Sequence, residues 1–256
     1  MRDTRGATLS DGERFNHFPA SPLVTVTYVI EGELHLVPTG CTLSHAQAMP
    51  PLARLHVSPP QDGPVSSWSA GQVAVVTLAI YPEAWVKLGL SGADHAVAQT
   101  VADTFRNLQQ GDDPGELWSR FCQIIDPKWQ DVRRAGGLAD WTGSRHLADW
   151  SRSISNRVAL AGPGRSLRAF ERRLRRWSQH SRQSLKFFSD FEDLHRLTLD
   201  HPEASLAALA SDAGYSDQSH MGRAVRRGTG FSPAQLNRLI KTNEAFWFYR
   251  LLGEHF

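Results

Sequence analysis

The chain has 256 residues, of which 41% are hydrophobic, 9% aromatic and 21% charged. Such a composition can bury the core of one large or two modest domains, and eight Trp with twelve Phe exclude disorder as the main state. The formal charge is only +2, but residues 145–186 hold eleven Lys/Arg against two Asp/Glu, whereas 1–144 hold ten against fifteen and 187–256 seven against nine.

Ten of the eleven bases in that central block are Arg. Arginine favours bidentate contact with phosphate or carboxylate over a diffuse solvated role. The longest apolar stretch, Val73–Ile80, is eight residues and includes a Thr, far short of the roughly 20 that a membrane span needs. Residues 1–11 lack the apolar run of a secretory signal. A soluble, cytoplasmic protein with no membrane partner is expected.

From the N-terminus, Val24, Val26, Tyr28 and Ile30 alternate with Thr25, Thr27 and Val29, the period of a strand with one buried face. Glu31-Gly32 can turn the chain, and Glu33–Val37 is expected to return as the hairpin partner. Arg54–Ser58 and Gln72–Ile80 are further strands, divided by a loop with Pro59, Pro60, Gly63 and Pro64. Short strands with this punctuation predict a small barrel or sandwich. Tyr28, Trp68 and Trp85 are its effector-lining candidates, with plain core packing as the alternative.

The period then becomes 3.6. Pro82 can open a short helix reaching about Gly89. Val97, Val101, Phe105 and Leu108 form one stripe, and Leu117, Phe121 and Ile124 another, with a breaker at Gly111-Asp112-Asp113-Pro114-Gly115. A domain boundary is expected near Arg133–Thr142, around Gly136-Gly137, dividing 1–136 from 137–256.

Two similar helical units follow. Leu147, Trp150, Ile154 and Val158 predict a helix ending at Ala161-Gly162-Pro163-Gly164. Ser166 then caps a helix with Phe170, Leu174 and Trp177 inward, and its outer face carries Arg168, Glu171, Arg172, Arg173, Arg175 and Arg176. Residues Leu185–Leu199 form a helical spacer. In the second unit Ser205 caps a helix carrying Leu206 and Leu209, which ends at Ala213-Gly214. A capped helix follows with Met221 and Val225 inward and Gln218, Ser219, Gly222 and Arg223 outward. Two helices joined by a tight Gly turn, with a polar outer face on the second, describe a DNA-reading helix-turn-helix.

The string Gly214-Tyr215-Ser216-Asp217-Gln218-Ser219-His220-Met221-Gly222-Arg223, followed by Thr229-Gly230-Phe231-Ser232-Pro233, resembles the signature of AraC/XylS-type transcription regulators. Ser166-Leu167-Arg168-Ala169-Phe170-Glu171-Arg172-Arg173-Leu174 resembles that family's first helix-turn-helix. The resemblance covers roughly residues 145–240. It implies an α+β protein: a cupin-like small β-barrel with flanking helices, for effector binding or dimerisation, then a seven-helix DNA-binding domain.

It further implies base-reading positions at Arg168, Glu171 and Arg172, and at Gln218, Ser219, His220, Gly222 and Arg223. Arg173, Arg175, Arg176, Arg226 and Arg227 are expected to hold phosphates. For His220 a helix-stabilising contact is an equal alternative. Three departures stand out. Gln179 replaces the usual Gly after the first reading helix, so that turn is expected to be built differently; Gly222 offers no side chain; and Val225 replaces an aromatic, which should thin the local core.

The partners implied are the major groove of double-stranded DNA, a small-molecule effector, a homodimer mate and, for an activator, RNA polymerase, in a cytoplasmic, nucleoid-associated setting in a bacterium. No catalytic residue, metal or cofactor is expected. His17, His35, His45, His56 and His95 form no His-x-His pair, and no Ser-His-Asp elbow, phosphate loop or zinc spacing occurs. Cys41 and Cys122 would act as oxidant sensors only if held as exposed thiolates. The rival readings are a cupin-type enzyme and a ligand sensor whose helical domain mediates protein assembly.

Overall fold

A computed structural model describes residues 1–89, 95–109, 112–135, 147–161, 166–201 and 203–252. The N-terminal part holds β1 (Arg2–Asp3), β2 (Phe15–Phe18), β3 (Val24–Glu31), β4 (Leu34–Val37), α1 (Leu43–Ala48), β5 (Leu55–Ser58), β6 (Val65–Ser69) and β7 (Ala74–Ile80). Helices α2 (Pro82–Leu88), α3 (Ala96–Phe105) and α4 (Pro114–Ala135) follow. The strands make two antiparallel sheets, one ordered β1-β7-β3-β5 and the other β2-β6-β4.

These are two open sheets and not a closed barrel, because no strand ladder joins them among the described residues. The expected β3–β4 hairpin does not form either. At Gly32 the chain takes φ 82° and crosses to the second sheet, so β3 pairs with β7 and β5 while β4 pairs with β6. Only glycine fits that crossing, since a Cβ there would lie 2.3 Å from the Gln72 carbonyl oxygen.

The alternating apolar residues of β3 are buried as the sequence predicts, but against helices instead of the facing sheet. Val24, Val26, Tyr28 and Ile30 share a core with Trp85, with Val97, Val101 and Phe105 of α3, and with Phe121 of α4. The two sheets meet at a smaller cluster of Val29, Leu34, Val73 and Val75. Of the predicted α4 stripe, Phe121 is buried and Leu117 packs on the core, whereas Ile124 is exposed and Ile125 takes its place. The expected boundary around Gly136-Gly137 and the Gly162-Pro163-Gly164 turn lie outside the described residues.

The C-terminal part has seven α-helices among the described residues: α5 (Leu147–Leu160), α6 (Leu167–Ser178), α7 (Arg182–Asp200), α8 (Leu206–Asp212), α9 (Gln218–Thr229), α10 (Pro233–Thr242) and α11 (Trp247–Leu251), the last preceded by a 3-10 turn at Glu244–Phe246. Trp150, Ile154, Val158, Leu174 and Leu185 form the core of the first unit. Leu194, Leu209, Met221, Val225, Leu236 and Tyr249 belong to that of the second. Helix α7 serves both, because Leu185 and Leu194 are nine residues, or about 13 Å of helix, apart. No described helix is long and apolar enough to cross a membrane.

Candidate nucleic-acid interface

The two units are built on one plan, displaced by 51 residues. Helices α6 and α9 each have twelve residues. Ser166 caps α6 by accepting from the Ala169 amide at 3.3 Å, and Asp217 caps α9 by accepting from the His220 amide at 2.7 Å. That bond, with a second from the Ser216 hydroxyl, holds the Asp217 carboxyl below its ordinary pKa and so keeps it a charged acceptor.

The helix ends match as well. The Ser178 hydroxyl donates to the Leu174 carbonyl and accepts from the His180 amide; Thr229 does the same with Val225 and Phe231. Next come left-handed residues, Gln179 at φ 64° and Gly230 at φ 84°, whose amides return to the carbonyls of Arg175 and Arg226. Each turn then runs into a new Ser cap, Ser181 for α7 and Ser232 for α10. The turn after α6 is therefore not built differently, as its Gln179 led one to expect. It keeps the geometry and carries a side chain at a strained φ.

This correspondence sorts the positions expected to read DNA. Arg168, Glu171 and Arg172 align with Ser219, Gly222 and Arg223, while Arg175 and Arg176 align with Arg226 and Arg227. Arg168, Arg172, Arg175, Arg176, Arg223, Arg226 and Arg227 are all exposed, and none forms an ion pair with another described residue. Arg173 aligns instead with Ala224. Its Nε donates inward to the Val158 carbonyl at 3.3 Å, so part of its guanidinium is engaged in joining α6 to α5. Glu171 is half-buried and lies 3.9 Å from Arg182.

Ser219, Gly222, Arg223, Arg226 and Arg227 of α9, with Pro233 of α10, line a shallow concavity of about 430 Å³. The Arg227 guanidinium lies 4.0 Å over the Phe187 ring, which fixes its base while leaving its edge free to donate. Gln218 and Ser219 are exposed at the start of the same helix. His220 packs edge-on against Tyr215 and shares a 3.2 Å hydrogen bond between its Nδ1 and the Ser216 hydroxyl. It thus makes the local contact while remaining exposed.

No family model matches the chain, and no curated protein matches it in sequence. Among solved structures it is similar to ToxT from Vibrio cholerae. One crystal structure of ToxT, from strain O395, aligns at 10% identity and a TM-score of 0.40, covering 90% of this chain and 95% of that one. A P21 crystal form gives 10% and 0.37 over 88% and 95%. A form of ToxT with unsaturated fatty acid bound gives 10% and 0.33 over 87% and 94%. The likeness is distant.

The sequence offered no sign that the N-terminal part grips both units. The Ala20 amide donates to the Gly228 carbonyl near the end of α9 at 2.7 Å, and His180 Nε2 donates to the Pro22 carbonyl beside the α6 turn. Asn16 of β2 accepts from the Trp247 indole, and Arg2 pairs with Glu244. At the first unit, buried Glu83 of α2 accepts from Arg157 through both oxygens, at 2.7 and 2.8 Å, and from the Trp150 indole at 3.3 Å. In the sequence Glu83 looks like any acid in a first helical turn.

The effector-lining candidates are not brought together. Tyr28 and Trp85 lie in the α3-facing core, where Trp85 stacks on His95 with ring centroids 3.5 Å apart, whereas Trp68 packs under α1 with Val37 and Ala46. Among the described residues no three His, Cys, Asp or Glu side chains gather as metal ligands. Cys41 and Cys122 are free and half-buried, and burial pushes the Cys122 thiol up, away from a reactive thiolate.

Proposed function

We propose that this chain is a sequence-specific DNA-binding transcription regulator that reads two segments of duplex DNA, one through α6 and one through α9. The observation that carries this is the repeated plan: two capped twelve-residue helices, closed by the same hydrogen-bonded turn, each presenting unpaired arginines at matching outward positions. Arg172 and Arg223 sit where a guanidinium can fork onto guanine, and Arg168 and Gln218 flank them as further base-edge donors. Arg175, Arg176, Arg226 and Arg227 hold the phosphates, with Arg173 assisting from within the first unit.

In this reading residues 1–136 sense an effector or a second copy of the chain, and 137–256 bind DNA. The contacts from β2, α2 and the Ala20–Pro22 segment give the N-terminal part a route to both reading units at once. Selection from randomised duplexes by the purified protein tests the proposal. Enrichment of a motif with two segments about one helical turn apart, bound with a steep salt dependence, is the expected result. Recovery of no motif, both with and without cell extract, would reject DNA reading in favour of a protein-assembly role.

A further inference from the structure

The two copies of the repeat differ in volume along their inward faces. Phe170, Leu174 and Trp177 of α6 are answered on α9 by the smaller Met221, Val225 and Gly228, and only at Gly228 does a neighbouring ring, that of Phe191, close in on the space. Behind α9, where those smaller side chains lie, is a cavity of about 130 Å³ walled by Leu194, Met221, Val225 and Leu236. The polar groups on its wall are half-buried His195 and Thr198 of α7, which already bond the Tyr249 and Leu194 carbonyls, and half-buried Asn237 and exposed Lys241 of α10; no carboxylate lines the space.

Its size approaches that of an engineered apolar cavity of about 150 Å³ that accepts benzene. A wholly apolar guest would leave the ammonium unused, and Lys241 makes no ion pair with a described residue. We infer that this cavity binds a compact monocarboxylate, its hydrocarbon body no larger than a single ring and its carboxylate held by Lys241. The bound body rests on Met221 and Val225, on the inner side of the helix whose outer side carries Gly222, Arg223 and Arg226. Occupancy therefore resets the seating of the second reading helix. The site itself follows from packing alone and stands whether or not α9 reads DNA; its effect on reading rests on the proposed function.

Titration calorimetry of the full chain with cyclohexanecarboxylate, and with neutral cyclohexylmethanol as the control, tests the site. The acid should bind saturably one to one and the alcohol about threefold more weakly, the worth of one ion pair to an exposed ammonium. The double replacement Met221→Phe with Val225→Leu installs the first unit's side chains and should remove binding of both compounds. Lys241→Gln should reduce the acid to the level of the alcohol. Near-ultraviolet circular dichroism establishes that each variant is folded.

Three results would each overturn the site: no heat at millimolar acid, equal binding of acid and alcohol, or binding that survives the double replacement in a folded protein. Duplex titrations form the second arm. The acid should shift DNA affinity in the native chain and not in the double variant, and unchanged affinity with the site occupied would overturn the control of α9 alone.

Discussion

Gln179 and Gly230 occupy the same position in the two units, 51 residues apart, and both adopt a left-handed backbone, at φ 64° and 84°. Gln179 is the one non-glycine residue with positive φ among those described. The hydroxyl bonds of Ser178 and the Ser181 cap hold the turn in place around it, so the strain is borne locally. Left-handed geometry costs a residue with a Cβ about 1–2 kcal/mol, partly offset by the greater freedom of glycine in the unfolded chain. Gln179→Gly should therefore stabilise the protein by about 0.5–1 kcal/mol, read as a raised denaturant midpoint. Gly230→Gln should destabilise it by more, since a Cβ there would also lie 3.1 Å from Thr39. A lowered midpoint for Gln179→Gly would sink this account.

Arg172 and Arg226 differ in predicted task and so in predicted phenotype. Arg172→Ala removes a base-edge contact and should cost about 1–3 kcal/mol on the preferred duplex while relaxing preference at one position. Arg226→Ala should weaken all duplexes alike and lower the salt slope by about one unit. Equal loss on every sequence would demote Arg172 to a phosphate contact, and an unchanged slope would reject the role of Arg226.

The helical half was legible in the sequence because its signals are local. A Ser or Asp cap, an i, i+4 apolar stripe and a glycine after the helix are set by neighbours within a dozen residues, and the caps at Ser166 and Ser205 both form as written. The sheets were only half legible. The alternation in β3 names one buried face but misses Thr27 and Val29, buried on the other, and does not say what buries either; the partners of β3 lie in β5 and β7, two dozen or more residues away. Strands β2 and β6 escaped because Phe15–Phe18 and Val65–Ser69 mix Asn, His and Ser with their apolar residues. In the site, the outward arginine positions were readable from helical phase, whereas the inward contact of Arg173 depends on the Val158 carbonyl of a different helix.

Glu83 and Arg157 join α2 to α5 across 74 residues of chain. Glu83 is 4% exposed and Arg157 about a fifth exposed on its side chain. Removing one member leaves the other charge uncompensated in a largely dry place, a loss of about 3–5 kcal/mol. Arg157→Leu should accordingly lower the melting temperature by many degrees, while replacing both residues, Glu83→Leu with Arg157→Leu, should recover much of the loss. If the single and double variants melt together, the pair is not the latch between these helices.

His17 places a half-buried imidazole at the junction of the sheets and the second unit. It lies among Phe15, Phe231 and Phe246, and its Nδ1 shares a 2.7 Å hydrogen bond with the Ser66 hydroxyl. Burial lowers its pKa from 6.5 to about 4, because the charged ring would lose its hydration there. The unfolded chain then takes up the proton first, so stability is full above pH 6.5 and falls as the pH drops from 6.5 towards 4. The loss across that window is about 3 kcal/mol. His180 and His195, lowered by burial as well, add in the same direction. Unfolding free energies measured from pH 7 to pH 4.5 should decline steadily in the native chain, and the decline should be shallower in His17→Gln. Parallel pH profiles for the two proteins would remove His17 from the acid sensitivity of this junction.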